Sequence, residues 1–141
     1  MTSQEVKEYL MQYRDVVRQA SAAQDHLTEL KAMAERITPN YNSSGGGTHQ
    51  AGDKLGEAVA KIVDAEAKLD AEIELLIATE REIERVIKAV DEPYRTLLYE
   101  RYINGKTWEQ LAVDMHYSYR GITKMHGRAL LVVKECIEVP T

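Results

Sequence analysis

Lys106–Leu131, KTWEQLAVDMHYSYRGITKMHGRALL, is the stretch on which the reading of this chain turns. Thr107 followed three residues later by Gln110 is a capping-box start, where hydroxyl and amide each satisfy a backbone group at the helix entry. Trp108, Leu111, Ala112 and Met115 then recur at helical spacing and give one apolar face. The pattern stops at His116-Tyr117, and Ser118 supplies a fresh N-cap hydroxyl. Beyond it Ile122, Met125, Ala129, Leu130 and Val133 form a second apolar stripe. Arg120, Lys124 and Arg128 stand at i, i+4 and i+8, on a different face. No acid falls between Asp114 and Glu135. Two short helices, a tight turn and a basic second helix predict a helix-turn-helix.

Working outward, Asp91-Glu92-Pro93 starts another helix, with proline tolerated in the first turn. Tyr94, Leu97, Leu98, Arg101 and Tyr102 follow, and Asn104-Gly105 stops it, with Gly105 expected in a left-handed C-cap. This helix is the third side of the core that a helix-turn-helix needs.

The segment from about Asp91 to Lys134 resembles region 4 of bacterial primary sigma factors. There a Thr-led helix, a turn ending in Ser and a basic helix closing on Arg-Ala-Leu read promoter DNA; here Thr107, Ser118 and Arg128-Ala129-Leu130 hold those positions. Arg101-Tyr102, Thr107-Trp108 and His126-Gly127-Arg128-Ala129-Leu130, following a long helical hairpin, carry a further resemblance to a phage-encoded, sigma region 4-like family of Gram-positive bacteria, related to phage late-gene transcription activators. Two positions depart from the sigma pattern. His116 stands where those proteins usually have glycine, so it is expected to take a positive φ, which histidine tolerates better than most residues. Gly121 sits inside the recognition helix, where glycine costs about 1 kcal/mol relative to alanine.

Residues 1–90 read as two long helices. In the first, about Ser3 to Ile37, Val6, Leu10, Tyr13, Val17, Ala20, Gln24 and Leu27 alternate in steps of four and three, a heptad seam. Thr38-Pro39 is expected to end it. Pro39 to Gly52, rich in Gly, Ser and Asn, reads as a connector. The second helix, capped by Asp53 and running to about Val90, has its seam at Leu55, Val59, Ile62, Glu66, Leu69, Ile73, Leu76, Glu80, Ile83, Ile87 and Val90. Each helix spans about 50 Å. The expected architecture is all-α: a long antiparallel helical hairpin (1–90), then a three-helix helix-turn-helix domain (91–141). Val63, Leu75, Ile77 and Val86 widen the apolar stripe, and an exposed stripe of that kind seeks a partner. A homodimer through the hairpin, as a four-helix bundle, is the expected assembly; the alternative is that the stripe packs on the C-terminal domain of the same chain.

The net charge of −5 argues against nucleic acid until its distribution is read. Residues 91–141 hold seven acids and seven bases, so the whole excess lies in residues 1–90. The C-terminal part is neutral and polarised, with its cations gathered on one helix. Cys136 is alone, so no disulfide and no cysteine zinc site form within the chain. No apolar signal core and no membrane-length run occur, which predicts a cytoplasmic protein. Gly47–Lys54 imitates a phosphate-binding loop, but the lysine falls one residue late, Leu55 replaces the needed Ser or Thr, and no strand precedes it. His26, His49, His116 and His126 show no metal-ligand spacing. No acid/base pair stands out from the helix carboxylates. Neither an enzyme nor a cofactor is expected.

The first residues of a recognition helix meet base edges, so Tyr119, Arg120 and Thr123 are the expected sequence readers, and Lys124 reaches base or backbone. Lys106, Thr107, Ser118 and Arg128 are placed for phosphate. The leading expectation is a sequence-specific DNA-binding transcription regulator reading the major groove of double-stranded DNA with helix 119–135; activation of late phage genes follows from the resemblance alone. Two alternatives stay open: a module docking on RNA polymerase or a sigma factor, and a DNA-packaging protein like the small terminase subunits.

Overall fold

The computed structural model describes residues 1–43 and 48–138, with the side chains of 1–37 and 52–137. Among them the chain is all-helical and has no strand. Two 41-residue helices come first, α1 (Ser3–Ser43) and α2 (Thr48–Lys88). Then follow α3 (Tyr94–Leu98), a π-helical turn (Tyr99–Ile103), α4 (Trp108–Met115) and α5 (Tyr119–Glu138).

Both long helices exceed the lengths expected. α1 passes through Pro39 to Ser43, because a proline removes one ladder bond without preventing those that follow it. α2 begins at Thr48, so Asp53 lies inside the helix and is not its cap. Of the expected connector, residues 44–47 lie outside the described residues, as does the start of the loop-like Gly47–Lys54 stretch.

The chain divides into two compact units: a head, Met1–Val17 with Leu76–Thr141, and an arm, Arg18–Leu75. The head core joins Leu97, Leu98 and Tyr102 to Leu111 and Ala112 of α4 and to Ile122, Met125, Ala129, Leu130 and Val133 of α5. Val6 and Leu10 of α1, Ile83 and Ile87 of α2, and Val90 complete it. A boundary at residue 90 therefore cuts through this core. The three short helices leave an apolar side uncovered, and the ends of the hairpin cover it. Tyr9 Oη also donates to Glu82 at 2.8 Å.

In the arm, Leu27 and Leu30 pack with Ala65, flanked by Ile62 and Leu69. Low α1 numbers meet high α2 numbers in the head and mid-chain numbers meet here, the antiparallel order of a hairpin. The expected seam of α2 holds at Ile62 and Leu69 and is displaced at other positions within the arm. Val59 and Ile73 are 50% and 39% exposed, while Ala65, outside the expected row, is buried.

The π turn has a packing reason. In an α-helix residues five apart point about 140° away from each other. The wider turn brings both Leu98 and Ile103 into the core. It ends at Gly105, whose φ of +71° is the left-handed conformation expected there. The Arg14 guanidinium lies over that glycine, 2.7 Å from where a Cβ would stand, and donates to the Ile103 carbonyl at 3.1 Å.

Candidate nucleic-acid interface

Local rules position the helix-turn-helix. Thr107 Oγ1 accepts from the Gln110 backbone N–H at 3.2 Å, and Gln110 Oε1 accepts from the Thr107 N–H at 2.9 Å, completing the capping box. α4 stops at His116, which takes φ +60° and ψ +42°. The Tyr117 N–H returns to the Ala112 carbonyl at 2.9 Å and turns the chain sharply. Ser118 Oγ then accepts from the Gly121 N–H at 3.0 Å and opens α5.

A polar and aromatic cluster fixes α5 against its neighbours. The Tyr102 hydroxyl and His126 Nε2 lie 2.6 Å apart, with the residues 1% and 8% exposed. Burial, aided by the Lys7 and Arg101 charges, lowers the His126 pKa to about 4. Burial raises the Tyr102 phenol to about 12. At neutral pH a neutral phenol and a neutral imidazole therefore share one hydrogen bond, its direction set by the imidazole tautomer. The His126 ring meets Trp108 edge-on at 4.5 Å between centroids, and the Arg101 guanidinium lies 4.2 Å over the indole. Trp108 is half-buried, and that cation covers one face of its ring. Arg101 Nη1 also donates to the Lys106 carbonyl at 2.8 Å, tying α4's entrance to the π turn.

On the outside of α5, Arg120, Lys124 and Arg128 are exposed, and none has a carboxylate partner among the described residues. Tyr119 is 52% exposed. Thr123 is half-buried and its hydroxyl donates to the Arg120 carbonyl at 3.0 Å, so it presents a methyl group and an acceptor oxygen. Thr107 and Ser118 are exposed; their oxygens serve the caps, and their hydroxyl hydrogens remain to be donated outward.

Lys106 is placed otherwise than the sequence suggests. Its ammonium lies 2.8 Å from Glu100 and 2.8 Å from Asp114, and these bonds raise its pKa while holding Glu100 below the usual carboxylate range. One cation between two carboxylates carries net negative charge. That group repels phosphate.

Neither a protein-family model, nor a curated protein, nor a solved structure matches this chain.

The geometry brings in two residues that motif reasoning passed over. A cleft of about 330 Å³ opens between the start of α3, at Pro93 and Tyr94, and the flank of α5, at Gly121, Lys124, Met125 and Arg128, with Tyr117 from the turn at its side. Tyr94 lies 30 residues from Lys124 in sequence, so no local spacing links them. Among the described residues no group of His, Cys, Asp and Glu is arranged to hold a metal ion, and no helix is long and apolar enough to cross a membrane.

Proposed function

We propose that this chain is a sequence-specific DNA-binding regulator of transcription that reads the major groove with α5. The observation that carries the reading is the acid-free, outward row of Arg120, Lys124 and Arg128 on a helix capped by Ser118 and held by the Tyr102–His126–Trp108 cluster. Unpaired cations on a rigid helix neutralise phosphate, and a guanidinium in the first turn reaches guanine O6 and N7 bidentately. Tyr119, Arg120 and Thr123 read bases; Thr107, Ser118, Lys124 and Arg128 lie close enough to the same helix entrance or flank to engage the backbone. The likeness of Thr107, Ser118 and Arg128-Ala129-Leu130 to sigma region 4 supports promoter DNA as the target, and the likeness of Arg101-Tyr102, Thr107-Trp108 and His126-Gly127-Arg128-Ala129-Leu130 to the phage-encoded family supports late phage genes as those regulated.

Selection of binding sites from random duplexes at physiological salt tests this. We expect a definite motif, lost from the Arg120→Ala protein at a cost of about 1–3 kcal/mol on the selected site. Failure to enrich any motif with the wild-type chain would refute sequence reading.

In the arm, Val59, Val63 and Ile73 are exposed along one helix, which supports a second copy as partner. Light scattering on the purified chain would show a dimer; a ring of many copies would favour the packaging reading instead. Docking on polymerase has its own observation: Val113 of α4 is 74% exposed beside Glu109 and Asp114. Pulldown of polymerase lost with Val113→Asp would support that second reading.

A further inference from the structure

The cleft beside α5 differs in chemistry from the surface around it. Lys124 and Arg128 stand in its wall, no carboxylate lines it, and neither cation is paired among the described residues. Around Lys106, by contrast, two acids cancel the charge. Two unpaired cations in a concave, partly apolar wall focus positive potential on whatever enters. Tyr94, half-buried, and Tyr117, 45% exposed, also line the cleft, and a phenol hydroxyl is a neutral donor suited to phosphate oxygens. Gly121 leaves its part of the wall without a side chain; a Cβ there would stand 3.1 Å from Ser118 Oγ and 3.6 Å from the Tyr117 ring.

The position on the helix matters as much as the chemistry. At about 100° per residue, Arg128 lies about 80° round α5 from Arg120 and about 140° from Thr123. A helix whose Arg120–Thr123 side faces base edges therefore turns its Lys124–Arg128 flank towards the strand that borders the groove.

We propose that this cleft clamps one phosphodiester of that strand, Lys124 and Arg128 supplying charge and Tyr94 and Tyr117 supplying hydroxyl donors. Lys124 then positions the helix and reads no base. The clamp rests on α5 being a recognition helix, and it adds to that reading a backbone contact made from outside the helix-turn-helix, at the start of α3.

The test measures affinity of the full chain for a labelled random-sequence duplex from about 50 to 200 mM salt, with inorganic phosphate as a second probe. Lys124→Gln and Arg128→Gln should each make the slope of log affinity against log salt shallower by about 0.9, on any sequence. Tyr94→Phe and Tyr117→Phe should each weaken binding roughly two- to tenfold with the slope unchanged, since a neutral donor releases no counterion. Wild-type slopes in both cation variants, or wild-type affinity in both tyrosine variants, would overturn the clamp. So would saturation of the cleft by millimolar inorganic phosphate, followed by the tyrosine ring resonances, with duplex binding unaffected; that result would make it a free-anion site. A wild-type chain that bound no duplex would remove clamp and recognition helix together, whereas wild-type binding with indifferent variants removes the clamp alone.

Discussion

Two glycines of α5 meet different surroundings. A Cβ at Gly127 has nothing within 4 Å, whereas one at Gly121 presses on the Ser118 hydroxyl that caps the helix. An interior glycine costs about 0.8–1 kcal/mol relative to alanine. Gly127→Ala should therefore stabilise the head by about that amount, and Gly121→Ala by less, because the cap must shift; thermal melts of the two variants measure the difference. Should Gly127→Ala raise the melting temperature and yet weaken duplex binding, the bare backbone at 127 serves close approach to DNA. At this scale the legible residues are those whose partners sit three or four positions away. Thr107 with Gln110, Ser118 with Gly121, and the left-handed Gly105 and His116 follow from local sterics and hydrogen bonding. Lys106 does not. Its partners Glu100 and Asp114 lie six residues before and eight after, and only the π turn and the capped start of α4 bring them to one ammonium. Trp108 was legible as part of the apolar face of α4, but the cation over its ring, which comes from Arg101, was not.

For α5 as an element, the seating depends on a neutral imidazole. The folded His126 pKa of about 4 is below the ordinary 6.5, so the unfolded chain binds the proton more readily. Stability from this residue is complete above about pH 6.5 and is lost as pH falls towards 4, a loss of order 3 kcal/mol across the window. Chemical denaturation at several pH values should show the head weakening between pH 6.5 and 4, and His126→Gln should flatten that part of the profile. An unchanged profile in the variant would assign the acid sensitivity to carboxylates. The long helices show the opposite balance between sequence and structure. Their existence was plain from the period. The row that faces α1 was legible only in part, because Ile62 and Leu69 fit three-four spacing either with Val59 and Ile73 or with Ala65. Burial selects the second, leaving Val59 and Ile73 outside.

Across the whole molecule, the basic helix belongs to a head built from both ends of the chain. Helices α3 to α5 lie close in sequence, and their core was legible as stripes. That Val6, Leu10, Ile83 and Ile87 finish it was not, since packing on the C-terminal domain was read as an alternative for the widened stripe, of which Val86 alone packs there while Val63, Leu75 and Ile77 are exposed. A fragment of residues 91–141 would expose the apolar surface those side chains cover. We expect it to lack a cooperative melting transition by circular dichroism. In the full chain Leu10→Ala, at a site 0% exposed and far from the α5 surface in sequence, should cost about 2–5 kcal/mol. A sharply melting fragment would show that the short helices suffice.

The same shared core sets a timetable for synthesis. Val6 leaves the ribosome well before Leu130 and Val133, which belong to the same core cluster. Domains usually fold in order as they emerge, but here the opening turns of α1 cannot complete their core until α5 has been made. Residues 1–17 are thus made long before α5, which finishes the core they share, and a chaperone can hold this head until that helix arrives.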